Sequence, residues 1–211
     1  MARSFLFSLT ALLAFSVAAV AAPAEEPKEK SKSDPPGVPI EVKINLKKDK
    51  VTLDLGGKSS EEFKKSLEEA AKTGKYPDAT AVDLEIEFKN TGDKDVSIQF
   101  GGDSNQLTLE VKGPGVVNAE TQRAFTREFR VPKPITLAPG KSHTLELKSL
   151  KYGFRGVARS TFLTEPGEIT LTAVYQTAVS PAPKDAKDAG DGYGAVKLTS
   201  APVKLKVEEK K

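Results

Sequence analysis

From Val38 onward the dominant repeat along the chain is two residues. Val82, Leu84, Ile86 and Phe88 alternate with Asp83, Glu85, Glu87 and Lys89, the pattern of a half-buried strand. The turn Asn90-Thr-Gly-Asp93 follows, and Val96, Ile98 and Phe100 alternate again until Gly101-Gly102. Leu107, Leu109 and Val111 resume the pattern up to Gly113-Pro-Gly115. Ile135-Thr-Leu137 leads through Pro139-Gly140 to Leu145-Glu-Leu147. Pro166-Gly167 precedes Ile169, Leu171, Ala173 and Tyr175, and Val203, Leu205 and Val207 close the chain. Short strands separated by turn signals at regular spacing predict an antiparallel sandwich.

One segment departs from this period. Ser59-Ser60-Glu61-Glu62 reads as a capping box, with Ser59 at the N-cap and Glu62 three residues on. Phe63, Leu67, Ala70 and Ala71 then share one helical face, Gly74 occupies a left-handed C-cap, and Pro77 forbids continuation. The expectation is a helix over residues 60–73, inserted between an early hairpin (about 40–55) and the main run of strands. Its narrow apolar face suits packing on an edge or end of the sandwich; the alternative is a partner-binding helix.

The two ends of the chain read differently. Phe5 to Val20 carries no charge, follows the basic start at Arg3, and ends at Ala19-Val20-Ala21, the small residues of a signal-peptidase site. At 16 residues it falls short of the roughly 20 that a spanning helix needs. Residues 1–21 are therefore expected to be a signal peptide cleaved near Ala21. Residues 22–37 mix charge and proline without a large apolar side chain and are expected to be a flexible leader, with a single folded domain over 38–208. Residues 180–194 form a long polar stretch in which Asp185, Asp188 and Asp191 recur every third position. That spacing raises calcium, but an EF-hand loop needs acidic ligands at alternate positions and a closing Glu, so a solvated loop is expected instead.

Composition narrows the chemistry. There is no cysteine, no tryptophan, one histidine and one methionine, so a transition-metal site would have to be built from His143 and carboxylates. His143 follows a Pro-Gly turn, where exposure is expected, and no Gly-x-Ser-x-Gly elbow or cysteine stands ready as its nucleophile. Asp83, Glu85 and Glu87 read as the wet face of one strand rather than a glycosidase pair. No cofactor motif is present, and a nearly neutral exported chain is a poor candidate for nucleic acid.

Charge is distributed unevenly. Beyond residue 21 every arginine lies between Arg123 and Arg159: Arg123, Arg127, Arg130, Arg155 and Arg159. That window holds nine basic against two acidic residues, net +7, whereas residues 22–211 hold 31 against 29, net +2. The arginine fork suits carboxylate, sulfate or phosphate, and Tyr152 and Phe154 interleave with the cluster. An anionic-partner site at these five arginines and Tyr152 is one expectation. The other is that arginines pair with Glu128 and neighbouring acids or face water.

Asn90-Thr-Gly-Asp-Lys-Asp-Val-Ser-Ile98 resembles a strand-turn of bacterial immunoglobulin-like sandwiches. Leu137-Ala-Pro-Gly140 and Glu165-Pro-Gly-Glu-Ile-Thr-Leu171 look like their later turns, and Thr199-Ser-Ala-Pro-Val203 like their final strand. The order of pieces over about residues 80–208 is similar to the bacterial intracellular proteinase inhibitor domain. The resemblance implies a fold and transfers no functional residue. The expected protein is all-β, an antiparallel immunoglobulin-like sandwich with one inserted α-helix. Its expected role is that of a non-catalytic module secreted to the periplasm or beyond, without cofactor or metal, engaging a protein or acidic polysaccharide of the cell envelope. The alternative is a secreted proteinase inhibitor acting through a protruding loop, with 113–130 or 178–194 as candidates.

Overall fold

A computed structural model describes residues 29–122, 127–154 and 156–209. Residues 1–28, with the expected signal peptide and the first part of the leader, lie outside the described residues, as do Arg123 and Arg155.

The elements along the chain are β1 (Lys32–Asp34), β2 (Ile40–Leu46), β3 (Lys50–Leu53), α1 (Ser60–Thr73), β4 (Ala81–Asn90), β5 (Val96–Phe100), β6 (Gln106–Lys112) and β7 (Val116–Gln122). They continue with β8 (Lys133–Leu137), β9 (Ser142–Ser149), β10 (Lys151–Phe154), β11 (Val157–Leu163), β12 (Gly167–Ser180), β13 (Lys187–Asp188), β14 (Gly194–Thr199) and β15 (Val203–Glu209). The described residues are thus mostly antiparallel β-structure with one helix, an all-β sandwich.

The alternating side chains explain the two main layers. Ile40, Val42 and Ile44 of β2 and Val82, Leu84, Ile86 and Phe88 of β4 turn one face of the sheet β2-β4-β9 inward. They meet Ile98 of β5, Leu109 and Val111 of β6, Ile169, Leu171 and Tyr175 of β12, and Leu198 and Leu205 across the way, all in one core. The second layer is built around β12. One of its edges pairs first with β15 and then with β14; its other edge pairs with β6 and then β5. The change of partner falls at buried Ser200, whose N–H donates to the Ala173 carbonyl (2.8 Å) while its Oγ accepts the Ala173 N–H (2.9 Å). One residue thereby satisfies both backbone groups that the strand switch would leave open.

A third sheet, β10-β11-β7, carries the helix. Leu67 packs with Ala119 of β7 and Phe162 of β11, flanked by Phe63 and Tyr76, whose ring stacks on Phe162 at 5.9 Å. The helix begins and ends where its local signals place it. The Ser59 N–H donates to Glu62 Oε2 (2.8 Å), the Glu62 N–H to Ser59 Oγ (3.3 Å), and Gly74 sits at φ 68°. Leu67 and Ala70 are buried and Phe63 half-buried, but Ala71 is exposed, so the docked face is narrower than its spacing predicts.

Three expectations are corrected. β2 and β3 are not a hairpin: β2 pairs with β4, whereas β3 runs parallel to β15 in the other layer. The folded part begins before Val38, because Lys32–Asp34 add to the edge of β14, and Ser31 Oγ accepts the Val42 N–H (2.9 Å) while donating to the Thr199 carbonyl (3.0 Å). Backbone pairing to an existing edge needs no large apolar side chain, which is why composition missed it. The stretch 180–194 is also built rather than merely solvated. Lys187–Asp188 pair with Ala195 and Gly194, and within the turn that joins them the Ala189 N–H donates to the Tyr193 carbonyl and the Tyr193 N–H to the Gly190 carbonyl, each at 2.9 Å.

Candidate binding surface

Of the stretch between β7 and β8, residues 127–132 (Arg-Glu-Phe-Arg-Val-Pro) are described, and they lie outside any ladder. The segment carries the large apolar side chains most exposed among the described residues, Phe129 at 56% and Val131 at 76%. A mobile strip would gain little from showing them, but this one is braced. The bracket is the turn Gly101–Asn105 between β5 and β6, closed by a bond from Asn105 Nδ2 to the Gly101 carbonyl (2.8 Å).

Asp103 supplies the grip. Its carboxylate is almost wholly covered, at 2% side-chain exposure. It accepts the Arg130 backbone N–H on Oδ2 (2.9 Å) and the guanidinium on Oδ1, from Nε (2.9 Å) and Nη2 (2.8 Å). In return the Asp103 N–H donates to the Arg130 carbonyl (2.9 Å). Both backbone polar groups of Arg130 and its side chain are thus fixed to one residue, by charge-assisted bonds around a carboxylate shielded from water. Gly102 permits the approach. It holds φ at +71°, and a Cβ there would stand 2.5 Å from the Pro132 nitrogen.

A second feature lies where β6 and β7 diverge into different sheets after Gly113-Pro-Gly115. A cleft of about 470 Å³ opens there, lined among others by Glu110, Lys112, Glu120, Tyr152, Arg159 and Ser160. Tyr152 of β10 and Arg159 of β11 are directly opposed across the strand pair. The Tyr152 hydroxyl donates to the Leu109 carbonyl on β6 (2.8 Å), and Arg159 Nε bonds Glu120 Oε2 (2.9 Å). Burial pushes the Tyr152 phenol up, with the Arg159 charge pulling the other way.

The described arginines are therefore divided. Arg127 and Arg130 stand on the stretch between β7 and β8, whereas Arg159 stands with Tyr152 at the cleft. Arg130 and Arg159 are each bonded to a carboxylate, Asp103 and Glu120, rather than to Glu128; Arg127 is exposed. Nothing in the sequence after Gly101-Gly102 marks Asp103 for this role, because its partner lies 27 positions away.

The other candidate chemistry also finds its place. On β4, Asp83 bonds Lys148 (2.7 Å), Glu85 bonds Lys47, and Glu87 accepts the Ser142 hydroxyl (2.6 Å). The Lys148 ammonium holds the Asp83 carboxyl below its usual range, and the Ser142 hydroxyl does the same for Glu87, the opposite of what a general acid requires. Among the described residues no group of three or more histidine or acidic side chains could hold a metal ion. Asp188, of the three aspartates in the polar stretch, accepts the Gly190 N–H instead (2.9 Å). His143 is half-buried rather than exposed. Its ring lies 4.4 Å from that of Phe100, and burial pushes its pKa down.

No family model matches the chain, and no curated protein matches it in sequence.

Proposed function

We propose that this protein is a non-catalytic binding module of the cell envelope, exported as its N-terminal pattern implies, and that residues 127–132 form its contact surface. The observation that carries the reading is an exposed Phe129 and Val131 on a backbone fixed through Arg130 to the covered Asp103. Exposed apolar side chains that are already ordered lose less freedom on docking, and ordering costs roughly 0.5–1.5 kcal/mol for each immobilised side chain. Aromatic anchors of this kind dominate protein interfaces.

The test compares capture of envelope proteins by the wild type and by Phe129→Ser with Val131→Ser. The expected result is a discrete partner retained by the wild type and lost by the double variant. Identical capture by both removes the segment from the reading. An anionic version of the same function, toward an acidic protein or polysaccharide, rests on the exposed Arg127, since Arg130 and Arg159 carry carboxylate partners. Heparin retention that falls with Arg127→Ala supports that version, and unchanged retention removes it.

A further inference from the structure

We infer that the cleft beside β6 is a second binding site, and that its ligand is an extended segment of another polypeptide, added as a strand to the free edge of β6. None of residues 127–132 lines the cleft, so the inference goes beyond the contact proposed for them. The free edge follows from the ladder. Ala173 of β12 directs both its backbone groups to Ser200 and stands opposite Leu109, so Leu109 turns its own N–H and carbonyl away from β12. By alternation Leu107 and Val111 do the same, while Gln106, Thr108, Glu110 and Lys112 carry the ladder. Among the described residues no strand pairs with that outer edge, and the one bond made to it runs from the Tyr152 hydroxyl to the Leu109 carbonyl. Leu109 is 1% exposed, so its outward N–H is shielded from water without gaining a partner there. Buried backbone donors in that state are rare, and an incoming strand satisfies this one.

The cleft suits a strand on both sides. Residues Thr108 to Lys112 in unbroken succession form one wall of its roughly 470 Å³, and the sheet β10-β11-β7 supplies the other through Glu120, Tyr152 and Arg159. A strand presents N–H and C=O groups along both of its edges. β6 takes one edge, and the Arg159 guanidinium and Glu120 carboxylate, a donor and an acceptor, stand where the other edge would lie. That repeat of donors and acceptors belongs to polypeptide backbone, which is what makes strand addition the matching mode of recognition. Tyr152 acts as a latch, because its hydroxyl must leave the Leu109 carbonyl before a peptide N–H can replace it. Selectivity comes from the outer face of β6, where Glu110 and Lys112 are exposed. An antiparallel strand complementary to them reads acidic, any residue, basic from its N-terminus.

The experiment titrates the full chain into the fluorescently labelled, end-blocked peptide Thr-Glu-Val-Lys-Val-Thr-Val and follows anisotropy. With its glutamate opposite Lys112 and its lysine opposite Glu110, the three valines point their backbone groups at Val111, Leu109 and Leu107. The expected result is saturable binding that is lost when the second valine is N-methylated and kept when the lysine is, since only that valine N–H reaches the Leu109 carbonyl. Exchanging the glutamate and lysine of the peptide should weaken binding about fivefold or more, the scale of a cross-strand ion pair. Glu110→Lys with Lys112→Glu should restore binding of the exchanged peptide, a gain that misfolding cannot imitate. Tyr152→Phe releases the latch and should tighten binding about two- to tenfold, the net worth of one hydrogen bond. Phe129→Ser with Val131→Ser should bind the peptide as the wild type does. No saturable binding, binding indifferent to N-methylation of the second valine, or a Tyr152→Phe variant that binds no tighter overturns the inference.

Discussion

Replacing Asn90 by alanine tests the account of how the two layers are tied together at one end. Asn90 closes β4 and is fully buried. Its Nδ2 donates to the carbonyls of Lys94 and Leu137, each at 2.7 Å, and its Oδ1 accepts the Gly92 N–H at 2.9 Å. Its backbone is engaged as well, with N–H to the Lys141 carbonyl and carbonyl to the Gly140 N–H. Asn90→Ala leaves those backbone bonds and removes three side-chain ones. The Leu137 carbonyl, in the buried bond, loses a partner that water cannot replace, costing about 1–3 kcal/mol, and the other two lie where water reaches, costing about 0.5–1.5 kcal/mol each. The expected destabilisation is about 2–6 kcal/mol in urea unfolding with an unchanged m-value, against less than about 0.5 kcal/mol for the exposed neighbour Thr91→Ala. Asn90→Asp adds a sign. It keeps the bond to Gly92 but sets a carboxylate oxygen against two carbonyls, which raises the folded-state pKa above the unfolded value of about 3.9. Between the two pKa values the native state binds more protons than the unfolded one, so this variant gains stability as pH falls through its raised pKa toward the unfolded value of about 3.9. A loss below about 1 kcal/mol for the alanine variant, or an aspartate variant indifferent to pH, would refute the reasoning.

Two further outcomes follow from the core. Leu67→Ala should cost about 2–4 kcal/mol in urea unfolding, because Leu67 is 3% exposed between Ala119 and Phe162 in the helix–sheet contact. His143, whose pKa burial lowers, favours the folded state while neutral. Its contribution is full above the unfolded pKa of about 6.5 and is lost as pH falls below it, so His143→Gln should flatten the change in Tm between pH 7.5 and 5 relative to the wild type.

How much of this was legible depends on the distance over which each signal acts. The alternation in β4, β5 and β12 is local, since a strand with one buried face must place apolar residues at every second position. The capping box of α1 is equally local, its partners being three residues apart. β11 escaped notice because it is covered on two sides, by the main core and by the helix. Val157–Leu163 accordingly shows no alternation, ending in three successive buried residues. Asn90 looked like an ordinary turn residue, and only the approach of Leu137, 47 positions on, makes it a buried hub. The arginine cluster misled in the same way. Counting acids near each arginine along the chain points to Glu128, whereas the carboxylates that meet Arg130 and Arg159 are 27 and 39 positions away.

By itself, then, the sequence determined what depends on backbone periodicity and neighbouring residues: an all-β chain, its main strands, and one helix with both its ends. Only the tertiary structure decided what depends on segments meeting from afar. It sent β2 and β3 to different layers, seated the helix on a third sheet, neutralised two arginines with distant carboxylates, and braced 127–132 against Asp103. The reason is that periodicity states which face of a strand is apolar but not which strand it will face. A bond such as that between Asp103 and Arg130 leaves no mark on either segment until the sheets have closed around both.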